Sequence, residues 1–175
     1  LAEAMGGAIE VTSEVGKGSA FSFRIELPVT EVDGQARSEP VELLSRKAPV
    51  LIVDDLKPAQ TVLYQQLKRF GAAPVCVPDV RTAMNALVRA NTHHGFRFPL
   101  VIVDHQLNEE TGLDLVKQVR AHPDLSDTTI IATTAVNAKL ISEAYAQYGV
   151  QDILEKPYPT QSMTEVVLSR LADSH

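Results

Sequence analysis

Two adjacent carboxylates, Asp54 and Asp55, follow directly on the apolar run Val50, Leu51, Ile52 and Val53. A second apolar run, "PLVIVD", also ends on a carboxylate, Asp104. A third runs out into Thr133-Thr134-Ala135, and "DILEKP" delivers Lys156 just before Pro157. Gathered at one place, three carboxylates repel one another strongly unless a cation sits among them. Mg²⁺ suits such a group, because it takes a few carboxylates together with waters and a phosphate oxygen. Taken singly, each residue has a plainer role: an aspartate after a strand forms a turn or caps a helix, and paired threonines favour strands. A lysine before proline ordinarily sits in a solvated loop. It is their joint occurrence, in chain order and each after an apolar run, that points to a site.

The surrounding pattern supplies elements to position them. Strands are predicted over Val50–Asp54, Ala73–Val77, Leu100–Asp104, Thr129–Thr133 and Asp152–Leu154. Helices are predicted near Pro58–Phe70, Val80–Ala90, Gly112–Ala121, Asn137–Tyr148 and Thr160–Ala172. In the first helix Val62, Leu63, Leu67 and Phe70 recur at helical spacing and are expected to pack into the core. Strand-then-helix units in series imply an α/β fold, a parallel sheet covered on both faces. Such sheets bind ligands outside the carboxyl ends of their strands. That edge is where the acids, the hydroxyls and the lysine would meet.

Upstream, Leu1–Met5 reads as a helix end stopped by Gly6-Gly7. Ala8, Glu10 and Ser13 then alternate with Ile9, Val11 and Val15, and "SAFSFRIEL" alternates through Phe21, Phe23 and Ile25. With Gly16-Lys17-Gly18 as the turn between them, these form a predicted β-hairpin. Two strands rarely stand alone, so the hairpin belongs to something larger or leans on the second segment. From Pro28 to Lys47 charges, Pro, Gly and Ser mix without periodicity, the pattern of a linker, with "VELLSRK" offering at most a turn of helix. A chain that starts at Leu1 rather than Met is expected to be a fragment.

Composition narrows the partners. The net charge of −6 over 175 residues argues against a nucleic-acid face. No apolar run approaches the roughly 20 residues that span a bilayer, and no basic segment followed by an apolar one opens the chain. The expectation is a cytoplasmic fragment without membrane contact of its own, compatible with membrane spans elsewhere in a parent chain. A single cysteine, Cys76, forbids an intrachain disulfide and suits a reducing compartment. None of the five histidines has metal-ligand spacing, and His93-His94-Gly95 reads as a solvated loop.

Together "VLIVDD", "LVIVDHQLNEETG", "IIATTA" and "DILEKP" resemble a response-regulator receiver domain over residues 48–175. The resemblance implies a doubly wound, flavodoxin-like five-stranded parallel sheet of order 2-1-3-4-5. It also implies Asp104 as phosphoacceptor and Mg²⁺ held by Asp55, Asp104, Asp54 partly through water, and the Gln106 carbonyl. Thr134 would contact the phosphoryl group, Lys156 would pair with it, and the Lys156–Pro157 bond would be cis. In the implied chemistry a carboxylate attacks a phosphoryl group carried on histidine, giving a labile acyl phosphate that suits a signal.

Residues 1–28 resemble the closing strands of a histidine-kinase ATP-binding domain, with Gly16-Lys17-Gly18-Ser19-Ala20-Phe21 as its last glycine motif. This is not a Walker A loop, because Gly18 follows Lys17 where Ser or Thr is required. Kinase tail (1–28), linker (29–47) and receiver (48–175), in that order, imply the C-terminal part of a hybrid sensor histidine kinase. The phosphoryl donor would then be a phosphohistidine of the parent kinase or of a partner. The recipient would be a histidine phosphotransfer protein or another response regulator. The chain alone lacks the phosphoacceptor-histidine helix and the remaining nucleotide motifs of a kinase.

Departures from the family pattern surround the site. The acceptor is followed by Leu107-Asn108 where Met-Pro or Leu-Pro is common, and the acidic pair Glu109-Glu110 is expected to slow anionic phosphodonors. Ile153 stands where the family places a Tyr or Phe that swings inward on activation, which puts output through that surface in doubt. His105 has no phosphorylatable-histidine motif around it. These departures favour a second reading, a receiver-fold module that docks on the kinase and regulates it without phosphorylation; the complete Asp54, Asp55, Asp104, Thr134 and Lys156 set opposes it. A haloacid-dehalogenase-type phosphatase requires Asp-x-Asp after the first strand, which "VDDLKP" does not provide.

Overall fold

The computed structural model describes residues 7–24, 48–93 and 95–172. The chain divides into two compact units, Leu1–Ser38 and Glu39–His175. The expected helix end at Leu1–Met5, the linker and the helical turn in "VELLSRK" lie outside the described residues.

In the first unit β1 (Ala8–Glu14) and β2 (Gly18–Arg24) pair antiparallel, with Ile9 opposite Phe23 and Val11 opposite Phe21. Gly16 and Gly18 take positive φ (81° and 107°), the conformation that only glycine adopts cheaply, and this lets the chain reverse. Val15 falls in that turn instead of the strand. The period-2 pattern is therefore real, yet Ile9, Val11 and Phe21 are all exposed.

The second unit runs β3 (Pro49–Val53), α1 (Lys57–Arg69), β4 (Ala73–Val77), α2 (Val80–His93), β5 (Leu100–Asp104), β6 (Gln106–Leu107), β7 (Glu110–Thr111), α3 (Gly112–Ala121), β8 (Thr129–Thr134), α4 (Ala138–Ala146), β9 (Ile153–Glu155) and α5 (Thr160–Ala172). Its sheet is parallel in the order β4-β3-β5-β8-β9, which is 2-1-3-4-5 when its strands are counted along the chain. The parallel sheet covered on both faces is what the alternating pattern predicts, and the order is the one that the receiver resemblance implies. β3 and β5 are unbroken apolar runs because both of their faces are covered. Leu51, Val53, Val101 and Val103 pack on one face with α2, α3 and Tyr145. Val50, Ile52, Leu100 and Ile102 pack on the other with Leu63 and Leu67 of α1 and with Met163, Val167 and Leu171 of α5.

Four local expectations are corrected. Val62 is 58% exposed and points away from the core; Gln60 takes the buried position in phase with Leu63 and Leu67. Phe70 is only half-buried, at the end of α1. α4 is shorter than its apolar pattern suggests: the Asn137 side chain caps it by accepting from Lys139 N–H, and beyond Ala146 the chain turns through Gly149 at φ 72°. His93 closes α2 instead of opening a loop, and His94 lies outside the described residues. The small antiparallel pair β6–β7 was not visible in the sequence.

Candidate functional site

β3 and β5 are neighbours and parallel, so their carboxyl ends deliver Asp54, Asp55 and Asp104 to one spot. Ligand atoms of these three carboxylates lie within 4.8 Å of one another. Asp54 and Asp104 are each 6% exposed and Asp55 is half-buried. Leu56 N–H donates to Asp54 Oδ1 at 2.8 Å, an Asx turn that leads the chain into α1. Asn108 N–H reaches toward Asp55 Oδ2 at 3.4 Å.

Lys156 enters from the end of β9. Its backbone N–H donates to Thr134 O at 2.7 Å, which fixes the start of the following loop, and its peptide bond to Pro157 is cis. Its ammonium donates to Asp54 Oδ2 at 3.0 Å and to Asp104 Oδ2 at 2.9 Å. Among the described residues the buried Asp104 Oδ1 has no hydrogen-bond partner.

The electrostatics follow from this geometry. Burial holds the Asp104 carboxyl above its ordinary value, with Lys156 working against that shift and the Asp54 charge adding to it. For Lys156 burial acts downward, but its bonds to Asp104 and Asp54 prevail and the ammonium is held above its ordinary value. With all four groups ionised, three negative charges face one positive, an excess of two negative charges beside an unpartnered carboxylate oxygen. A hard divalent cation with oxygen ligands fits that excess.

Thr134 is fully buried at the end of β8, but its hydroxyl is engaged locally: it donates to Val136 O at 3.3 Å and accepts from Val136 N–H at 3.1 Å. Gln106 is exposed in β6, opposite Thr111 of β7. The β6–β7 pair leads into α3, where Thr111 and Asp114 form a capping box. Thr111 pulls the Asp114 carboxyl below its ordinary range. Behind Asp104, the fully buried Tyr145 places its hydroxyl 3.1 Å from His105 Nδ1.

Three contributors escaped the sequence reading. Gln60 donates its amide to the Asp54 carbonyl, and its only sequence signal was a polar residue in phase with Leu63 and Leu67. Gly112 lies against the Asp104 backbone, and Tyr145 reaches His105 from forty residues away. Periodicity predicts neither contact.

The family model described as response regulator receiver domain matches residues 50–168. The chain belongs to this family. It is similar to the aerobic respiration control sensor protein ArcB of Escherichia coli, at 29% identity over 169 residues that make up 95% of this chain and 21% of ArcB. Sensor histidine kinase AruS of Pseudomonas aeruginosa is 33% identical over 159 residues, 90% of this chain and 15% of AruS. The chain thus spans about a fifth or less of the length of these curated relatives. Among solved structures, a response regulator receiver protein from Pseudomonas putida superposes with a TM-score of 0.62 at 25% identity, covering 72% of this chain and 99% of that one. A receiver-family stretch aligned within proteins named as sensor kinases makes this receiver homologous to those of hybrid histidine kinases in two-component phosphorelays. Among the described residues, no helix is long and apolar enough to cross a membrane.

Proposed function

We propose that Asp104 accepts a phosphoryl group from a phosphohistidine in a Mg²⁺-dependent reaction and passes it to a histidine phosphotransfer protein or another response regulator. The observation that carries this reading is the Asp104 carboxylate itself. It is buried, one oxygen has no hydrogen-bond partner among the described residues, the other is held by Lys156, and two further carboxylates stand within 4.8 Å.

Asp54, Asp55, Asp104 and the carbonyl of Gln106 would hold the metal, which supplies charge neutralisation for the phosphoryl oxygens when bound. A carboxylate oxygen of Asp104 forms the new P–O bond as the P–N bond to the donor imidazole breaks and its electron pair returns to nitrogen. Lys156 is already within reach of Asp104 and offsets negative charge there. Thr134 contacts the phosphoryl group once its hydroxyl leaves Val136. Glu109 and Glu110 line a groove with Asp79 and Arg81 beside the site, an acidic rim that disfavours small anionic donors.

In the same reading residues 1–28 close the ATP-binding domain of a parent histidine kinase, 29–47 link it to the receiver, and 48–175 are the receiver. The β1–β2 hairpin with its glycine turn supports this, as does an alignment to ArcB over 95% of the chain. ATP-dependent autophosphorylation belongs to the parent protein.

The test is labelling of the chain with a small-molecule phosphodonor in Mg²⁺, read by intact-mass spectrometry beside Asp104→Asn. One labile phosphoryl adduct on the parent and none on the variant is expected. A cognate phosphohistidine donor follows, to bypass the acidic rim. Silence with both donors would move the assignment to a docking module that regulates the kinase without phosphorylation, the reading that Ile153 and Asn108 favour.

A further inference from the structure

Gln60 lies on the core-facing stripe of α1, three and seven residues before Leu63 and Leu67, where an apolar side chain would ordinarily sit. It is 3% exposed. A buried amide is costly unless its groups are bonded, and this one is bonded at both ends. Nε2 donates to the carbonyl oxygen of Asp54 and, at 3.4 Å, to that of Val77, while Oε1 accepts from Lys57 Nζ at 3.2 Å. The two carbonyls belong to the adjacent ends of β3 and β4, where the parallel ladder stops. Asp54 N–H also donates to Val77 O at 3.2 Å, so the strand ends are joined from the backbone and from the Gln60 side chain together.

The Asp54 carbonyl is half of the peptide that links Asp54 to Asp55. Holding that carbonyl restrains rotation of this peptide plane, which carries the Cα atoms of both Asp54 and Asp55. Two of the three clustered carboxylates therefore issue from the one peptide that Gln60 holds. On the other side of the peptide, Leu56 N–H holds Asp54 Oδ1 and Leu56 O accepts the Gln60 backbone N–H at 3.0 Å. The turn is bounded at each end by Gln60. Among the described residues the Gln60 side chain hydrogen-bonds to no carboxylate and not to Lys156, so it acts on the acidic pair only through their shared backbone.

We infer that Gln60 is a positioning residue for divalent-cation binding, holding the Asp54–Asp55 peptide in the orientation that brings both carboxylates to the ion. This rests on the Mg²⁺ reading above. It separates two quantities that a general loss of packing would move together. Without the clamp the Asp54–Asp55 pair must be ordered at the expense of ion binding, whereas Asp104 and Lys156 keep their contacts once the ion is in place. Groups that orient metal ligands from behind typically change affinity by 10–100-fold when removed.

The experiment is Mg²⁺ titration of the full chain by calorimetry, comparing the parent with Gln60→Met, which keeps length and volume, and Gln60→Asn, which keeps the amide but falls short of the carbonyls. Leu171→Ala, a core truncation in α5, controls for lost stability. Both Gln60 variants are expected to raise the Mg²⁺ Kd about tenfold, to leave the phosphorylation rate at saturating Mg²⁺ within about twofold of the parent, and Leu171→Ala to leave the Kd unchanged. A Kd within about twofold of the parent in whichever Gln60 variants melt cooperatively overturns the inference, as does an equal shift in Leu171→Ala. Loss of the cooperative melt in both Gln60 variants also overturns it, by making Gln60 a folding residue. A parent chain that takes up no Mg²⁺ overturns the metal reading itself, an outcome distinct from the others.

Discussion

Gly112 stands against the backbone of Asp104 with no room for a side chain between them. A Cβ on Gly112 would be driven into the Asp104 carbonyl oxygen and to 2.9 Å from the Tyr145 hydroxyl. Its φ is not positive, so space and not conformation excludes other residues. Its N–H donates to His105 O at 2.9 Å, which locks α3 to the residue after Asp104. Gly112→Ala is expected to destabilise the receiver by about 2 kcal/mol, in the range for overpacking against backbone. It should also slow phosphorylation of Asp104. Urea melts check the first effect, and a loss below about 0.5 kcal/mol would show that the contact yields easily.

The elements that carry the site were legible because their physics is local or periodic. Unbroken apolar runs such as Val50–Val53 and Leu100–Val103 announce strands buried on both faces, and the acids that end them announce the binding edge. What could not be read was anything decided by direction at a distance. Val62 and Gln60 differ by two positions on one helix, and only the docking of α1 tells which faces inward. The Thr134 hydroxyl was placed on the correct strand end, but its bond to Val136 depends on how the following turn closes. Tyr145 lies within the predicted fourth helix, and nothing in its neighbours tells that it meets His105. Boundaries moved by one to three residues wherever caps decide them, as at Asn137.

Lys156 holds Asp54 Oδ2 and Asp104 Oδ2, so its charge sits on two of the carboxylates proposed to bind Mg²⁺. Replacing it by an uncharged side chain removes a positive charge that repels a cation at these carboxylates. Lys156→Met should therefore bind Mg²⁺ several-fold more tightly while accepting phosphate more slowly, because the charge on the phosphoryl oxygens is less well offset. Calorimetry and intact-mass time courses read the two effects separately. Weaker Mg²⁺ binding in the variant would mean that Lys156 organises the carboxylates and does not compete for them.

Asp104 makes a prediction about stability without metal. Its carboxyl is held above its ordinary value of 3.8, so the folded chain binds that proton more tightly than the unfolded chain. By linkage this contribution to stability is present below 3.8 and is lost as pH rises through the raised folded value. At neutral pH the ionised carboxylate is a net cost to the fold. Asp104→Asn should raise Tm by a few degrees in the presence of a chelator, about 1 kcal/mol. Mg²⁺ should then stabilise the parent more than the variant, narrowing or reversing the gap. A variant less stable than the parent in chelator would show that the Lys156 bond outweighs burial.

Tyr145 contributes to a loss of stability at alkaline pH. Burial pushes its phenol above the ordinary value of 10.0, and the charges of Asp104 and Asp114 push the same way. Once pH exceeds 10.0 the unfolded chain loses this proton while the folded chain keeps it, so stability falls steadily through the folded pKa. Tyr158, raised chiefly by burial, and Lys156, raised by its carboxylates against burial, add falls of the same sign. Tyr145→Phe removes one of the three. At pH 7 the variant should be less stable by about 1 kcal/mol, the worth of the lost hydrogen bond to His105. Above pH 10 the parent loses stability faster than the variant, so the two should converge. Urea melts at intervals from pH 7 to 11 test this directly, and curves that stay parallel would mean that the phenol ionises as easily in the fold as outside it.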